Sequence, residues 1–270
     1  MQQRVAVPAA ADSDARADVV AGLMRWRLWG LMGWNDIRQR YRRSLIGPFW
    51  LTLSMAVMVG ALGFLFSTIF KIELHDYLPF LTLGFLAWAF IAQCVNEGCG
   101  TFIEAEGFIK QMPLPYSTFV YRVVWRNLVI LAHNCVVYVA VAAIFGLWPG
   151  ATALLVVPGL AILVLNAAWL GMLAGALCAR FRDVPPIVSS LLQMVFFVTP
   201  IIWKPELVPA RTYLVDINPF HHFVELFRAP LLGQAPDLLS WQVCIGVTVA
   251  GWIVTHLFFR RYRGRIAYWV

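Results

Sequence analysis

Charge is what this chain has least of. Asp, Glu, Lys and Arg together make up 13% of its 270 residues, against about a quarter in ordinary globular domains. From residue 127 to residue 179, 53 consecutive positions carry none of them. No soluble core needs so long an uncharged run, whereas a bilayer's hydrocarbon layer takes about 20 apolar residues per helix. Pro149-Gly150 divides the run near its middle, so it reads as two membrane helices, Asn127 to Trp148 and Thr152 to Ala179.

Other shortages exclude whole classes of chemistry. The three lysines follow Phe70, Ile109 and Trp203, so the Gly-Lys-[Ser/Thr] that cradles phosphates in a P-loop is missing. The five cysteines (Cys94, Cys99, Cys135, Cys178, Cys244) form no CxxC pair and fall in or beside apolar runs. They support neither a zinc site nor a disulfide framework and read as small buried hydrophobes. His221-His222 lacks a third metal ligand at useful spacing. The first 20 residues include Asp12, Asp14, Arg16 and Asp18 and no continuous apolar stretch, unlike a signal peptide; the first membrane helix would direct insertion. A proton- or ion-coupled carrier would bury carboxylates or bases at mid-membrane. Only Glu97, His133 and His256 lie within spans, and His133 alone approaches that depth, where it reads as a hydrogen-bonded packing residue. Paired half-helices of the inverted-repeat kind are also missing. Power for any transport must come from another chain, and no metal, cofactor or catalytic group is expected in this one.

What is present is apolar surface, 61% of the residues. Further uncharged runs extend from Ser44 to Phe70, Tyr77 to Asn96, Val184 to Trp203 and Leu238 to Phe259. The fifth opens with Pro185-Pro186, which shortens its usable helix. The expected fold is all-α and integral to the membrane, with six transmembrane helices and no room for a separate soluble catalytic domain. Of the 21 Lys and Arg residues, those before the first span, between spans two and three, between four and five, and after the last number 17. The opposite side holds Lys71, Lys204, Arg211 and Arg228. The positive-inside rule then puts both termini in the cytoplasm. The +7 net charge reflects topology and contact with anionic membrane lipid, not nucleic acid.

Three segments outside the spans carry a pattern. Val19, Leu23, Trp26, Gly30, Trp34, Ile37 and Tyr41 recur at steps of three or four, predicting an amphipathic helix over 18–43 with Arg25, Arg27, Arg38, Arg42 and Arg43 on or beside its other surface. Such a helix lies flat in the headgroup region, as an anchor or as a contact for a cytoplasmic partner; residues 1–17 before it are expected to be poorly ordered. The segment from Gly100 to Arg126 reads as a long loop holding a short helix, Gly107 to Met112, stopped by Pro113 and Pro115. Its Phe108 and Ile109, apolar and cytoplasmic, invite a protein partner. Lys204 to Ser240 contains five prolines yet has an apolar middle, predicting short re-entrant helices between spans five and six.

Aromatic rings are abundant inside the spans. Tyr77, Leu81, Phe85 and Trp88 form one stripe of span two, with Phe196-Phe197 in span five. They serve as packing and interfacial belt, or line a conduit whose rings bind the apolar faces of sugars without fixing their register. In span four Ala167, Gly171, Gly175 and Ala179 form a small-residue ridge, within one chain or between two.

The run Trp34-Asn35-Asp36-Ile37-Arg38-Gln39-Arg40-Tyr41-Arg42-Arg43-Ser44-Leu45-Ile46-Gly47-Pro48-Phe49-Trp50 resembles the entry to the first span of ABC-2 type permeases that export polysaccharides. Lys110-Gln111-Met112-Pro113-Leu114-Pro115 is similar to that family's coupling segment. Arg182-Asp183-Val184, Thr199-Pro200-Ile201-Ile202-Trp203, Asn218-Pro219-Phe220, Glu225-Leu226-Phe227-Arg228 and Arg265-Ile266-Ala267-Tyr268-Trp269-Val270 follow in the family's order. The resemblance covers residues 34–270, which include a permease domain taken as 44–270. It implies a homodimer in a bacterial inner membrane, bound to two copies of an ATP-binding cassette subunit that holds ATP and Mg. The implied cargo is O-antigen or a related glycan on a polyprenyl pyrophosphate lipid, as in lipopolysaccharide biosynthesis. Capsule and teichoic-acid exporters share the motifs. On this reading Phe108, Ile109, Lys110, Arg182 and Asp183 transmit ATP-driven motion. Tyr77, Phe85, Trp88, Phe196 and Phe197 line the cargo path. Arg40, Arg42 and Arg43 meet the pyrophosphate, or simply mark the inner face. A channel or drug exporter of the wider group is a second reading. A third is a membrane enzyme acting on lipid-linked sugar, which would need a carboxylate group such as Glu97, Glu104 and Glu106.

Overall fold

A computed structural model describes residues 15–40, 42, 47, 49–207 and 215–270. Those residues form an all-α membrane protein. Helices α1 (Ala15–Met24) and α2 (Trp26–Arg40) precede the first span, α3 (Phe49–Phe70). The spans α4 (Leu74–Glu104), α6 (Tyr116–Phe145), α7 (Val156–Arg180) and α10 (Leu238–Tyr262) follow, with α5 (Glu106–Gln111), α8 (Val184–Val198) and α9 (Pro219–Leu231) between them and α11 (Ile266–Trp269) at the end. Five helices are long and apolar enough to cross a membrane, and α8 is a shorter apolar one. With Pro185 and Pro186 in its first turn, α8 has 15 residues, about 22 Å at 1.5 Å per residue.

The helices outrun the uncharged runs. The segment 100–126, expected as a long loop, is mostly helix: α4 continues to Glu104 and α6 begins at Tyr116. The expected span from Asn127 to Trp148 is therefore displaced toward the N-terminus. Charged residues mark where hydrocarbon ends, but backbone hydrogen bonding carries the helix onward into the headgroup region. Pro113 and Pro115 do break the chain, and the short helix before them is α5, one residue earlier than expected.

Helix α4 is the centre of the bundle, flanked by α3, α6, α7, α8 and α9. Of its apolar window 72% is buried against protein, compared with 17% for α3, so α3 presents most of its surface to lipid or to another chain. The small-residue ridge of α7 packs within the chain. A Cβ added at Gly98 of α4 would stand 3.1 Å from the Gly171 Cα, and one at Gly175 would stand 3.1 Å from the Gly98 carbonyl oxygen. Replacing Gly98 by Leu is expected to destabilise the bundle by about 1–3 kcal/mol through overpacking. Thermal unfolding in detergent checks this, with Gly60→Leu as the control, since a Cβ there meets nothing within 4 Å.

The amphipathic segment differs from the expected single helix. It breaks at Arg25 into α1 and α2, which both lie on α6. Their contact face is not the Trp-rich one: Leu23, Trp26 and Trp34 are 57%, 59% and 47% exposed. Gly22 and Gly33 instead sit against the α6 backbone, where added Cβ atoms would fall 3.1 Å from the Thr118 amide and 3.0 Å from the Arg122 carbonyl oxygen. Small residues face protein together with Ile37 and with Trp29, whose ring lies 6.1 Å from those of Tyr121 and Trp125, leaving Trp26 and Trp34 to the headgroup region. Tyr41 and Arg43 lie outside the described residues.

Between α8 and α10 the apolar middle of the segment is α9, a helix largely buried against α4, α7 and α10. Asn218 starts it. Its side chain accepts from the Phe220 amide at 3.0 Å and donates to Thr199 Oγ1 at 2.9 Å, and Pro219 occupies the first turn. Arg228, counted above among the outward charges, is 1% exposed. It pairs with Glu225, lies 3.9 Å from the Phe80 ring centroid and donates to the Pro200 carbonyl at 2.8 Å. The motifs at 199–200, 218–220 and 225–228 are thus one interlocked structure.

Candidate functional site: the two ends of the bundle

Because the chain crosses the bundle with each long helix, its connections sort into two ends. One end gathers α1, α2, the turns at 105–115 and 181–183, and the C-terminal helix α11. Helix α5 stands here. Phe108 is 42% exposed, its ring 6.3 Å from Phe119. Ile109 is partly buried against the core, and Lys110 pairs with Glu106 at 2.6 Å on the exposed side. Arg182 and Asp183 are exposed, and Arg182 lies within electrostatic range of Glu106. The structure thus brings α5 and the turn before α8 together. It adds two exposed apolar side chains that sequence reasoning passed over, Met112 at 42% and Phe181 at 50%. Phe181 was hidden because it abuts the charged Arg180 and Arg182; its ring is 5.1 Å from the Arg180 guanidinium, which also lies 5.4 Å from Trp269.

Deeper at the same end sits an ionic cluster. Arg122 donates from Nε and Nη2 to the two oxygens of Asp36, both at 2.6 Å. Arg126 donates to Asp36 at 2.8 Å and to Glu97 at 2.8 and 3.2 Å. Asn127 donates to Glu97 at 2.7 Å and Arg40 does so at 3.4 Å. Three guanidinium groups and two carboxylates therefore tie α2, α4 and α6 together. Arg122 and Arg126 are four apart and so share one face of α6, while Glu97 breaks an otherwise uncharged run; these were the available signals. The Arg40 side chain is 49% exposed and Arg42 is exposed; Arg43 falls outside the described residues. Glu97 and Glu106 are each held by a basic partner, and Glu104 is exposed.

A second acid is wholly buried. The Asp18 carboxylate accepts from the amides of Tyr116 and Ser117, at 3.2 and 3.0 Å, and from Arg263 Nε at 2.7 Å. From α1 it caps the N-terminus of α6, where orphan amides favour a negative charge, and it holds the start of the C-terminal segment.

The aromatic stripe divides. Tyr77, Phe85 and Trp88 are 0%, 4% and 8% exposed. Tyr77 donates to the Ile202 carbonyl, and Phe196 packs 5.6 Å from Phe85 and 5.7 Å from Trp88. These rings are core in this chain. Phe197, 5.3 Å from Phe196, is 63% exposed on the outer face of α8. His133 at mid-span bonds the Val129 carbonyl of its own helix at 2.8 Å. His222 bonds Ser240 at 2.9 Å and the Asp216 carbonyl at 3.0 Å.

Comparison with known proteins gives concordant results. The family described as ABC-2 type transporter matches residues 27–232. A Klebsiella pneumoniae O-antigen export system permease protein RfbA is 23% identical over 223 residues, covering 82% of this chain and 85% of that protein. A second K. pneumoniae protein of that name is 24% identical over 72% of this chain and 76% of its own length. The Myxococcus xanthus protein of the same name is 22% identical, again over 72% of this chain and 76% of its own.

Proposed function

Since this chain belongs to the ABC-2 type transporter family, we propose that it is the membrane half of an ATP-driven exporter of polyprenyl-pyrophosphate-linked, O-antigen-like polysaccharide. It is a multi-pass permease, and its family implies association with an ABC ATPase. Two copies of that ATPase dock on a homodimer of this chain, in the bacterial inner membrane, with both termini cytoplasmic. The observation that carries this reading is the end built by α5 and the 181–183 turn. There Phe108, Met112 and Phe181 hold apolar surface out of the bundle beside exposed charge, as a docking knob requires.

The cargo path runs along α8, where the exposed Phe197 packs on Phe196 and Phe196 on the buried Phe85 and Trp88 of α4, one stripe with the buried Tyr77. Rings tolerate a sliding sugar chain because each unit presents a similar C–H face. The second copy closes the path from the other side, against α3 and α8, both sparsely buried in one chain. Arg40 and Arg42, with Arg43, meet the pyrophosphate, where a guanidinium binds phosphate oxygens in pairs.

Phe108→Ala tests the docking. The variant should insert and fold normally but bind the ATP-binding subunit about 2 kcal/mol more weakly, roughly 30-fold, with export falling in step. An intact complex exporting at the parent rate would remove Phe108 from the coupling. Orientation is checked separately by Ala235→Cys in a cysteine-free background, since Ala235 is exposed at the end away from the termini. A membrane-impermeant thiol reagent should label it in intact spheroplasts. Labelling only after permeabilisation would reverse the topology.

A further inference from the structure

At the end opposite the termini, three connections distant in sequence enclose a cavity of about 630 Å³. The start of α4, residues 204–206 and 215–216, and the turn before α10 form its walls, and α9 forms its floor. Its volume falls in the range of small-molecule sites, but its lining is polar. Among the described residues, Asp76, Glu206, Asp216, Glu225 and Asp237 contribute five carboxylates, against the permanent cations Lys204 and Arg228. Arg228 is held by Glu225, Pro200 and Phe80, whereas Lys204 has only the Phe80 ring, its ammonium 5.6 Å from the centroid, and keeps its charge for the cavity. Glu206, Asp216 and Asp237 are exposed, and their carboxylates make no hydrogen bond to another described residue. The His221 Nδ1, also on the lining, is buried without a hydrogen-bond partner. Burial pushes that imidazole down to about 4, so near neutral pH the ring adds no positive charge.

An acceptor-rich wall of this kind suits a ligand that brings many O–H donors and no negative charge. Ionised carboxylates only accept hydrogen bonds, and adjacent hydroxyls of a sugar ring can donate to both oxygens of one. With Glu225 and Arg228 neutralising each other, a phosphate or uronate would meet the carboxylates of Asp76, Glu206, Asp216 and Asp237 against the single ammonium of Lys204. We propose that this cavity is a binding site for a neutral, hydroxyl-rich sugar unit, and that it disfavours anionic polymers. The proposal rests on the export reading above and narrows it: among glycans of that kind, the cavity fits uncharged ones and opposes polyanions such as phosphate-bridged or uronic-acid chains.

The test is direct binding to the full chain in nanodiscs by calorimetry, using three hexose oligomers of equal length: maltohexaose, hexagalacturonate and the fully deacetylated chitosan hexamer. Maltohexaose should bind saturably, and hexagalacturonate at least tenfold more weakly. The double variant Asp216→Asn, Asp237→Asn changes only exposed side chains; it should weaken maltohexaose about tenfold. Ala235→Lys at the rim should narrow the gap between neutral and anionic oligomers. No saturable maltohexaose binding, equal or tighter hexagalacturonate binding, tightest binding of the chitosan hexamer, or unchanged binding in the double variant would each overturn the proposal. None of these readouts involves export, so a cell that still displays its glycan without this chain would sink the permease reading while leaving the binding result to stand by itself.

Discussion

Replacing Arg126 by Ala is expected to destabilise the chain by about 3–5 kcal/mol, the usual consequence of removing one partner from a buried ion pair. Its side chain is 7% exposed and bridges Asp36 to Glu97. Without it, Glu97 keeps only Asn127 and the longer contact to Arg40, and Asp36 keeps Arg122. Two acids would then face each other at the membrane's edge with less compensation. Arg126→Lys should lose less than Arg126→Ala but more than nothing, because an ammonium is a point charge and cannot span both carboxylates as a planar fork does. The measurement is thermal unfolding of the purified chain in detergent. If Arg126→Ala unfolds like the parent, the cluster does not hold α2 to α4 and α6. A double replacement of Asp36 and Arg122 should recover part of the parent's behaviour relative to either alone, since neither charge would be stranded.

Asp18→Ala should be nearly as severe but local. It removes the acceptor for two helix-start amides, a cap ordinarily contributing about 1–2 kcal/mol, and one charge-assisted hydrogen bond from Arg263, so a total of about 3 kcal/mol is expected. Hydrogen exchange is the suitable readout. Amides of α1, the first turn of α6 and residues 263–270 should exchange faster, while α4 and α7 keep their protection. Asp18→Asn retains one acceptor oxygen and should fall between. Uniform loss across the bundle, or no change in α1, would contradict the capping role.

These two ionic contacts show what a sequence can and cannot give. The spans were legible because hydrocarbon thickness imposes a length of uncharged residues, and the 53-residue run obeys it. Their ends were not, since Arg122 and Arg126 lie inside α6 rather than before it. The family motifs were legible as motifs, but their work was not: Thr199 and Asn218, or Pro200 and Arg228, meet only when α9 folds back under α8. Asp36 and Arg122 are 86 positions apart, and nothing local in either links them. The amphipathic pattern over 18–43 falls on two helices that break at Arg25, and of its stripe Ile37 is buried while Leu23, Trp26 and Trp34 are exposed; protein contact goes also to Gly22 and Gly33. Close approach on α6 needs missing side chains, whereas a hydrophobic period measures only bulk. For the same reason the stripe of Tyr77, Phe85 and Trp88 could be seen but not assigned to core or conduit; burial distinguishes them from Phe197.

The decisive experiment removes this chain from its own cells and follows the glycan. Full-length, chemically complete polysaccharide should accumulate on its lipid carrier, out of reach of a lectin applied to intact spheroplasts, and return to the surface when the chain is restored. Phe108→Ala should restore it poorly. Truncated or unmodified glycan in those cells would indicate an enzyme of glycan assembly, and undiminished surface display would show that the polysaccharide crosses the membrane by another route.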